Sequence, residues 1–388
     1  MRLLRFFCGF CAVLLPLAAL RMPVSAIPEP PAVSAEGCVL IDAQSGQVLF
    51  GKNENEKRPM ASTTKIMTTL LTLESGGLDD EFVVDSEAIR VEGSSMGLRE
   101  GDVVTKRALC IGMLLPSGND AANAAAVAVA GSIPAFLEMM NARAKEIGMA
   151  RSWFASPSGL DAEGHGASAC DMALLAREAL QNDIFASICC CQSKEVVFGN
   201  PPSARTLYNT NKLLGMDDSV IGVKTGFTDA AGRCLVSAAE RDGRRLICVT
   251  LYDRNDWADH LALYNYGFAV GQRYDLPLPA DLTVPCEGGA MQALPVYAKE
   301  QLTVTAWRGI PPEYAETVLL PPFVTAPIEK GTQIGELVYR KGFTEIGRLP
   351  LLAGADVPYM QQETDESAWK ALFRRVIFRI RDILDVIF

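Results

Sequence analysis

Histidine is nearly absent: the 388 residues contain two, His165 and His260. That leaves little material for a Ser/His/Asp relay, because His260 falls in the middle of a helical pattern. No paired C-x-x-C accompanies the histidines, which argues against a structural zinc site or any other metal centre. Positive charge is also short, with a net charge of −10, and nothing points to a nucleic-acid partner. Internal repeats and low-complexity tracts are missing. Cysteine is not scarce at eleven, but Cys8 and Cys11 lie in an apolar N-terminal run. The nine others form an odd set that includes Cys189-Cys190-Cys191, which does not suit a disulfide framework. They read as small buried hydrophobes.

What is present is ordinary globular chemistry, 49% hydrophobic and 21% charged. The length suits two domains of about 250 and 90 residues better than two equal halves. The first residues, "MRLLRFFCGFCAVLLPLAALRMPVSA", read as a signal peptide over 1–26. Arg2 and Arg5 precede an apolar run that is short for a membrane span, and Val24-Ser25-Ala26 offers a small-residue cleavage site. Val33-Ser34-Ala35 offers a second one.

"GCVLIDAQSGQVLFGKN" (37–53) predicts a hairpin around Ser45-Gly46, and residues 62–74 carry a helical period. "NDAANAAAVAVAG" (119–131) predicts an alanine-rich helix stopped by Gly131. Three strands follow over 219–253, two of them joined at Asp242-Gly243, and then a helix over 255–272. Strands at both ends with helices between them predict an α+β domain, one antiparallel sheet covered by helices, over 36–275. Past the proline-rich joint "DLPLPADLTVP" (275–285), short segments with Pro and Gly turns predict a small β-sandwich-like domain over 283–361.

Three short motifs carry chemistry. Ser62-Thr63-Thr64-Lys65 is an S-x-x-K tetrad at a helix start. On a helix its serine and lysine are i, i+3 neighbours with Cβ atoms about 5–6 Å apart. A lysine kept neutral by burial and nearby cations could take the serine proton. Alone, the tetrad is weak and reads first as a helix cap beside a solvated lysine. Ser117-Gly118-Asn119 sits at the mouth of the alanine-rich helix, where a hydroxyl and a carboxamide could relay a proton and hold an amide. Lys224-Thr225-Gly226 ends a predicted strand, where a lysine and a hydroxyl beside a glycine can grip a carboxylate. In this order, with gaps of 55 and 107 residues, the three match the signature of penicillin-binding proteins and class A β-lactamases. Ser62 is the expected nucleophile.

The sequence resembles the low-molecular-mass penicillin-binding proteins that act as serine D-alanyl-D-alanine carboxypeptidases. The likeness extends to "FASPSGLDAEGHGASACDMALLAREAL" (154–180), "NTNKLL" (209–214) and "GVKTGFTDAAGRCLVSAAERDGRRLICVTL" (222–251). It implies a β-lactamase/transpeptidase-like fold and an acyl-enzyme on Ser62, formed from a peptidoglycan stem peptide ending in D-Ala-D-Ala. Lys65 would be the general base. Ser117 and Asn119 would assist proton delivery and position the substrate amide. Lys224, Thr225 and Gly226 would hold the terminal carboxylate, and the backbone N–H groups of Ser62 and Phe227 would form the oxyanion hole. No cofactor is implied, and β-lactams would acylate Ser62. Two departures bear on substrate preference: Ser156-Pro157-Ser158-Gly159 lacks the histidine common there, and Phe227 stands where many members have His or Tyr.

A β-lactamase would need a glutamate and an asparagine on a loop after the second motif, with three residues between them. Glu138 and Asn141 have two residues between them and sit in a helical pattern, so they read as a surface helix. A silent peptidoglycan binder would have no need of Ser62, Lys65 and Lys224 together. The tail 366–388 places Trp369, Leu372, Phe373, Val376, Ile377 and Ile380 on one helical face. Five basic residues lie largely off that stripe, against two acids after Glu366. Such a helix suits an anionic membrane surface. The expectation is an exported enzyme on the outer face of the cytoplasmic membrane.

Overall fold

The computed structural model describes residues 28–307, 310, 313–342, 344–360 and 366–387. The expected signal peptide therefore lies outside the described residues. The first hairpin is β1 (Gly37–Asp42) and β2 (Val48–Lys52), and its turn is closed by Ser45 N donating to Asp42 Oδ1 at 2.7 Å. A 3-10 turn, Ala61–Thr64, leads into α1 (Lys65–Glu74). A short ribbon of β3 (Glu81–Val83) and β4 (Val103–Thr105) precedes α2 (Lys106–Leu114) and α3 (Asn119–Ala130). Gly131 ends α3 at φ +76°, as a left-handed stop should. Next come α4 (Ile133–Ile147), α5 (Ala169–Ala179), α6 (Asp183–Cys189) and a ribbon of β5 (Ser193–Phe198) and β6 (Ser203–Tyr208).

The region closes with β7 (Val220–Thr228), β8 (Gly232–Arg241), β9 (Arg244–Leu251) and α7 (Asp256–Val270). Asp242 and Gly243 both take positive φ in the β8–β9 turn, which matches strand twist in a two-residue hairpin. The sheet order is β2-β1-β9-β8-β7, antiparallel throughout, so strands from the two ends of the region meet in one sheet. Val39, Val236, Ile247 and Val249 face the core shared with the first helices. Leu40, Leu235, Leu246 and Cys248 face Leu263 and Tyr264 of α7. Both faces are covered, which is why β1 is buried at every position and shows no polar alternation. The α+β expectation holds.

Beyond α7, β10 (Gly271–Asp275) pairs with β13 (Thr303–Trp307). The chain also forms β11 (Thr283–Glu287), β12 (Ala293–Ala298), β14 (Ala315–Leu319), β15 (Val324–Thr325), β16 (Gln333–Lys341) and β17 (Thr344–Ala353). These make a six-stranded sheet, β14-β16-β17-β12-β11-β15, over a separate core that includes Leu276, Leu294, Leu337, Tyr339 and Leu351. The tail is α8 (Glu366–Ile387). The cysteines divide: Cys38, Cys110, Cys189, Cys234, Cys248 and Cys286 are buried as expected, but Cys190 is exposed. It sits at the end of α6, where the run turns out of the core.

Candidate active site

The S-x-x-K tetrad occupies the 3-10 turn and first residue of α1, and Ser62 does not cap the helix. The Thr63 and Thr64 hydroxyls instead tie the turn to the Met60 and Ala61 carbonyls at 2.6 and 2.7 Å. Ala61 is held at φ +47°. Two glycines press on this turn from opposite strands of chain. A Cβ on Gly159 would fall 2.0 Å from the Ala61 carbonyl oxygen, and one on Gly226 would fall 3.0 Å from Ser62 N.

Lys65 is fully buried, which removes the solvated-lysine reading. Its Nζ lies 2.9 Å from Ser62 Oγ, 2.7 Å from Asn119 Oδ1 and 2.6 Å from the Ser158 carbonyl oxygen. Burial, and then the charge of Lys224, push its pKa well below the usual lysine range, with Asp120 pulling the other way. A neutral amine has two hydrogens and one lone pair. The two carbonyl-type oxygens can only accept, so in the neutral amine they would take both hydrogens and leave the lone pair facing Ser62 O–H. The arrangement presets the direction of proton transfer.

Ser117, at φ +65° and 6% exposed, borders the cleft with Ser62. Asn119 is brought to the site but turned away from the cleft: Oδ1 accepts from Lys65, and Nδ2 donates to the Glu92 carbonyl at 2.6 Å. Its neighbour Asp120 escaped sequence reasoning. Its carboxylate accepts from Ser95 Oγ at 2.6 Å, Met96 N at 2.9 Å, and Gly97 and Leu98 N at 3.0 Å each, so it ties a loop to the start of α3. An acid in the first turn of a predicted helix was the available signal.

His165 accepts from Ala155 N at Nδ1 (3.0 Å), which leaves Nε2–H to donate to Thr64 Oγ1 at 2.9 Å. Burial lowers its pKa to about 4, and the neutral ring braces the 155–159 loop against the nucleophile turn. Glu138 is exposed on α4, and Asn141 bonds both backbone groups of Phe154, so neither serves the cleft.

Lys224 is 1% exposed, its Nζ donates to the Thr225 carbonyl at 2.8 Å, and burial lowers its pKa to about 7. Thr225 and Thr210 share a hydroxyl–hydroxyl bond of 2.6 Å. β7 is an edge strand, so its outer side is open to an added extended segment. A cleft of about 370 Å³ lies there, lined by Ser62, Ser117, Thr225, Gly226 and Phe227. Ser94, Thr210, Lys212, Arg233, Asp256 and Trp257 also line it, and the three motifs include none of these.

Residues 24–255 match the family model described as D-alanyl-D-alanine carboxypeptidase, and residues 278–359 match that of the penicillin-binding protein 5 C-terminal domain. The chain belongs to the D-alanyl-D-alanine carboxypeptidase family. Among its relatives is D-alanyl-D-alanine carboxypeptidase DacF of Bacillus subtilis, 30% identical over 83% of this chain and 86% of that one. DacC of Escherichia coli is 34% identical over 85% and 86%. The crystal structure of DacD from Francisella tularensis superposes with a TM-score of 0.61 at 28% identity, covering 86% of this chain and 96% of that one. The family is one of penicillin-binding serine peptidases, and this chain shares both its domains with these relatives.

Proposed function

We propose that this protein is a serine-type carboxypeptidase that removes the terminal D-alanine from peptidoglycan stem pentapeptides through an acyl-enzyme on Ser62. The observation that carries the reading is the buried Lys65 amine, 2.9 Å from Ser62 Oγ and within 2.7 Å of two fixed acceptor oxygens. Lys65 takes the hydroxyl proton as Ser62 attacks the carbonyl between the two D-alanines. Ser62 and Phe227 N–H groups receive the oxyanion, each donor worth about 3–4 kcal/mol. Ser117 passes a proton to the departing D-alanine, and water then releases the acyl group. Lys224 and Thr225 hold the terminal carboxylate beside Gly226, whose bare α-carbon lets the strand lie against Ser62. Asn119 orients Lys65. A β-lactam acylates the same serine.

Export is part of the reading, supported by the N-terminal leader pattern. So is attachment to an anionic membrane surface through α8. No single helix among the described residues is long and apolar enough to cross a membrane. On α8, Leu372, Phe373, Val376 and Ile377 are half or more exposed, with Arg374, Arg375 and Arg379 also in solvent. That pairing of apolar and basic surface is what an interfacial helix needs.

Two measurements test the enzyme reading. A synthetic pentapeptide ending in D-Ala-D-Ala should yield free D-alanine and a tetrapeptide, whereas crosslinked product would mean transpeptidation. Intact-mass analysis after penicillin should show one long-lived adduct that disappears in Ser62→Ala. An adduct surviving that substitution would remove Ser62 from the mechanism.

A further inference from the structure

Two cations outside the three motifs, Lys212 and Arg233, line the cleft, and Arg233 is held in place. It stands on β8 opposite Phe227 of β7. Opposed residues project from one face of a sheet, as do residues two apart on a strand, so Thr225, Phe227 and Arg233 share a face. Arg233 Nη2 donates to Asp256 Oδ1 at 2.5 Å, and its guanidinium carbon lies 5.2 Å from the centroid of the Trp257 ring. The Asp256 side chain is 4% exposed, that of Arg233 43%. One end of the guanidinium is clamped and one face is backed, while the side chain lines the cleft and stays part-exposed. A guanidinium so constrained is a ready fork for a carboxylate, with little ordering left to do.

Which carboxylate follows from the order of groups along β7. This step rests on the carboxypeptidase reading. The substrate's terminal carboxylate lies at Lys224 and Thr225, and its scissile carbonyl at Phe227 N. An extended peptide on the β7 edge therefore carries its acyl part past Phe227, the residue that Arg233 faces across the β7–β8 pair. At about 3.3 Å per residue, the amino acid before the acyl D-alanine begins one step beyond that carbonyl. It is the third residue of the stem, a diamino acid, and its long side chain can span to the sheet face. That side chain ends either in an ammonium alone or in a carbon bearing both ammonium and carboxylate. The first offers the Arg233 fork no acceptor; the second brings a carboxylate to Arg233 and an ammonium to the Asp256 side of the pair.

We propose that Arg233, held by Asp256 and Trp257, selects stem peptides whose third residue carries a free side-chain carboxylate. Three pentapeptides ending in D-Ala-D-Ala test it, with lysine, meso-diaminopimelate, or side-chain-amidated meso-diaminopimelate at position three. The readout is kcat/KM for D-alanine release, compared as a ratio within each protein so that a loss of folded material cancels. The native enzyme should prefer the free carboxylate over its amide by about tenfold, the scale of an exposed charge-assisted bond. Arg233→Gln should bring that ratio close to one, and Arg233→Lys, which keeps the charge but not the fork, should fall between. Equal native rates on the free and amidated peptides would overturn the proposal, as would an unchanged ratio in Arg233→Gln. Release of D-alanine from none of the three peptides would instead overturn the carboxypeptidase reading and Arg233's role with it.

Discussion

Replacing Gly159 by alanine would load the turn that carries Ser62. Gly159 sits at φ +88°, and a Cβ there would come 2.0 Å from the Ala61 carbonyl oxygen, where contacts under 3.0 Å are not tolerated. The backbone conformation alone costs an alanine about 1–2 kcal/mol. One partner must also retreat by about 1 Å. If the Ala61–Ser62 turn retreats, Ser62 Oγ and N leave their alignment. If the loop retreats, the Ser158 carbonyl withdraws from Lys65 Nζ, now at 2.6 Å, and the amine loses one of the two acceptors that aim its lone pair. Misplacement by about 1 Å is worth about 10²-fold in rate, so both routes predict the same loss. The assay is the second-order rate of acylation by a fluorescent penicillin, with a thermal melt on the same sample. Gly159→Ala should acylate about a hundredfold more slowly while remaining folded at 25 °C. Acylation at the native rate with an unchanged melt would show slack at this contact and refute the reasoning.

Burial brings the Lys224 pKa to about 7, so its charge is present below that value and is lost above it. KM for peptides with a free terminal carboxylate should therefore rise above pH 7, while KM for peptides amidated at that terminus stays level. Lys224→Ala should abolish the difference between the two, and parallel KM profiles in the native enzyme would remove Lys224 from carboxylate binding. Deleting residues 366–388 should leave peptide hydrolysis intact and abolish sedimentation with anionic liposomes. Equal sedimentation of both forms would remove the anchor.

The three motifs were legible because each is local. Ser62 and Lys65 are three residues apart on one turn, Ser117 lies two residues before α3, and Lys224 lies on a strand whose apolar flanks mark it. What completes the site is not local, and much of it has no side-chain identity to read. Lys65 is aimed by a main-chain carbonyl 93 residues away, which any residue at position 158 would supply. The nucleophile turn is held by the missing side chain of Gly159 and by a histidine 101 residues from Thr64. Asn119 was legible as a site residue but its orientation was not, because Glu92, which claims its amide, sits in an unstructured-looking stretch. Arg233 reads in the sequence as one more basic residue on a strand. Only the β7–β8 register puts it across from Phe227, and only the start of α7 gives it Asp256 and Trp257. The pattern has a physical basis. Bond-making groups must be specific residue types and so leave a motif, whereas groups that position them need only a carbonyl, a gap or a charge at the right place. The fold supplies those from anywhere in the chain. The preference proposed for Arg233 rests on this second class of groups, so it stayed unread where the chemistry itself did not.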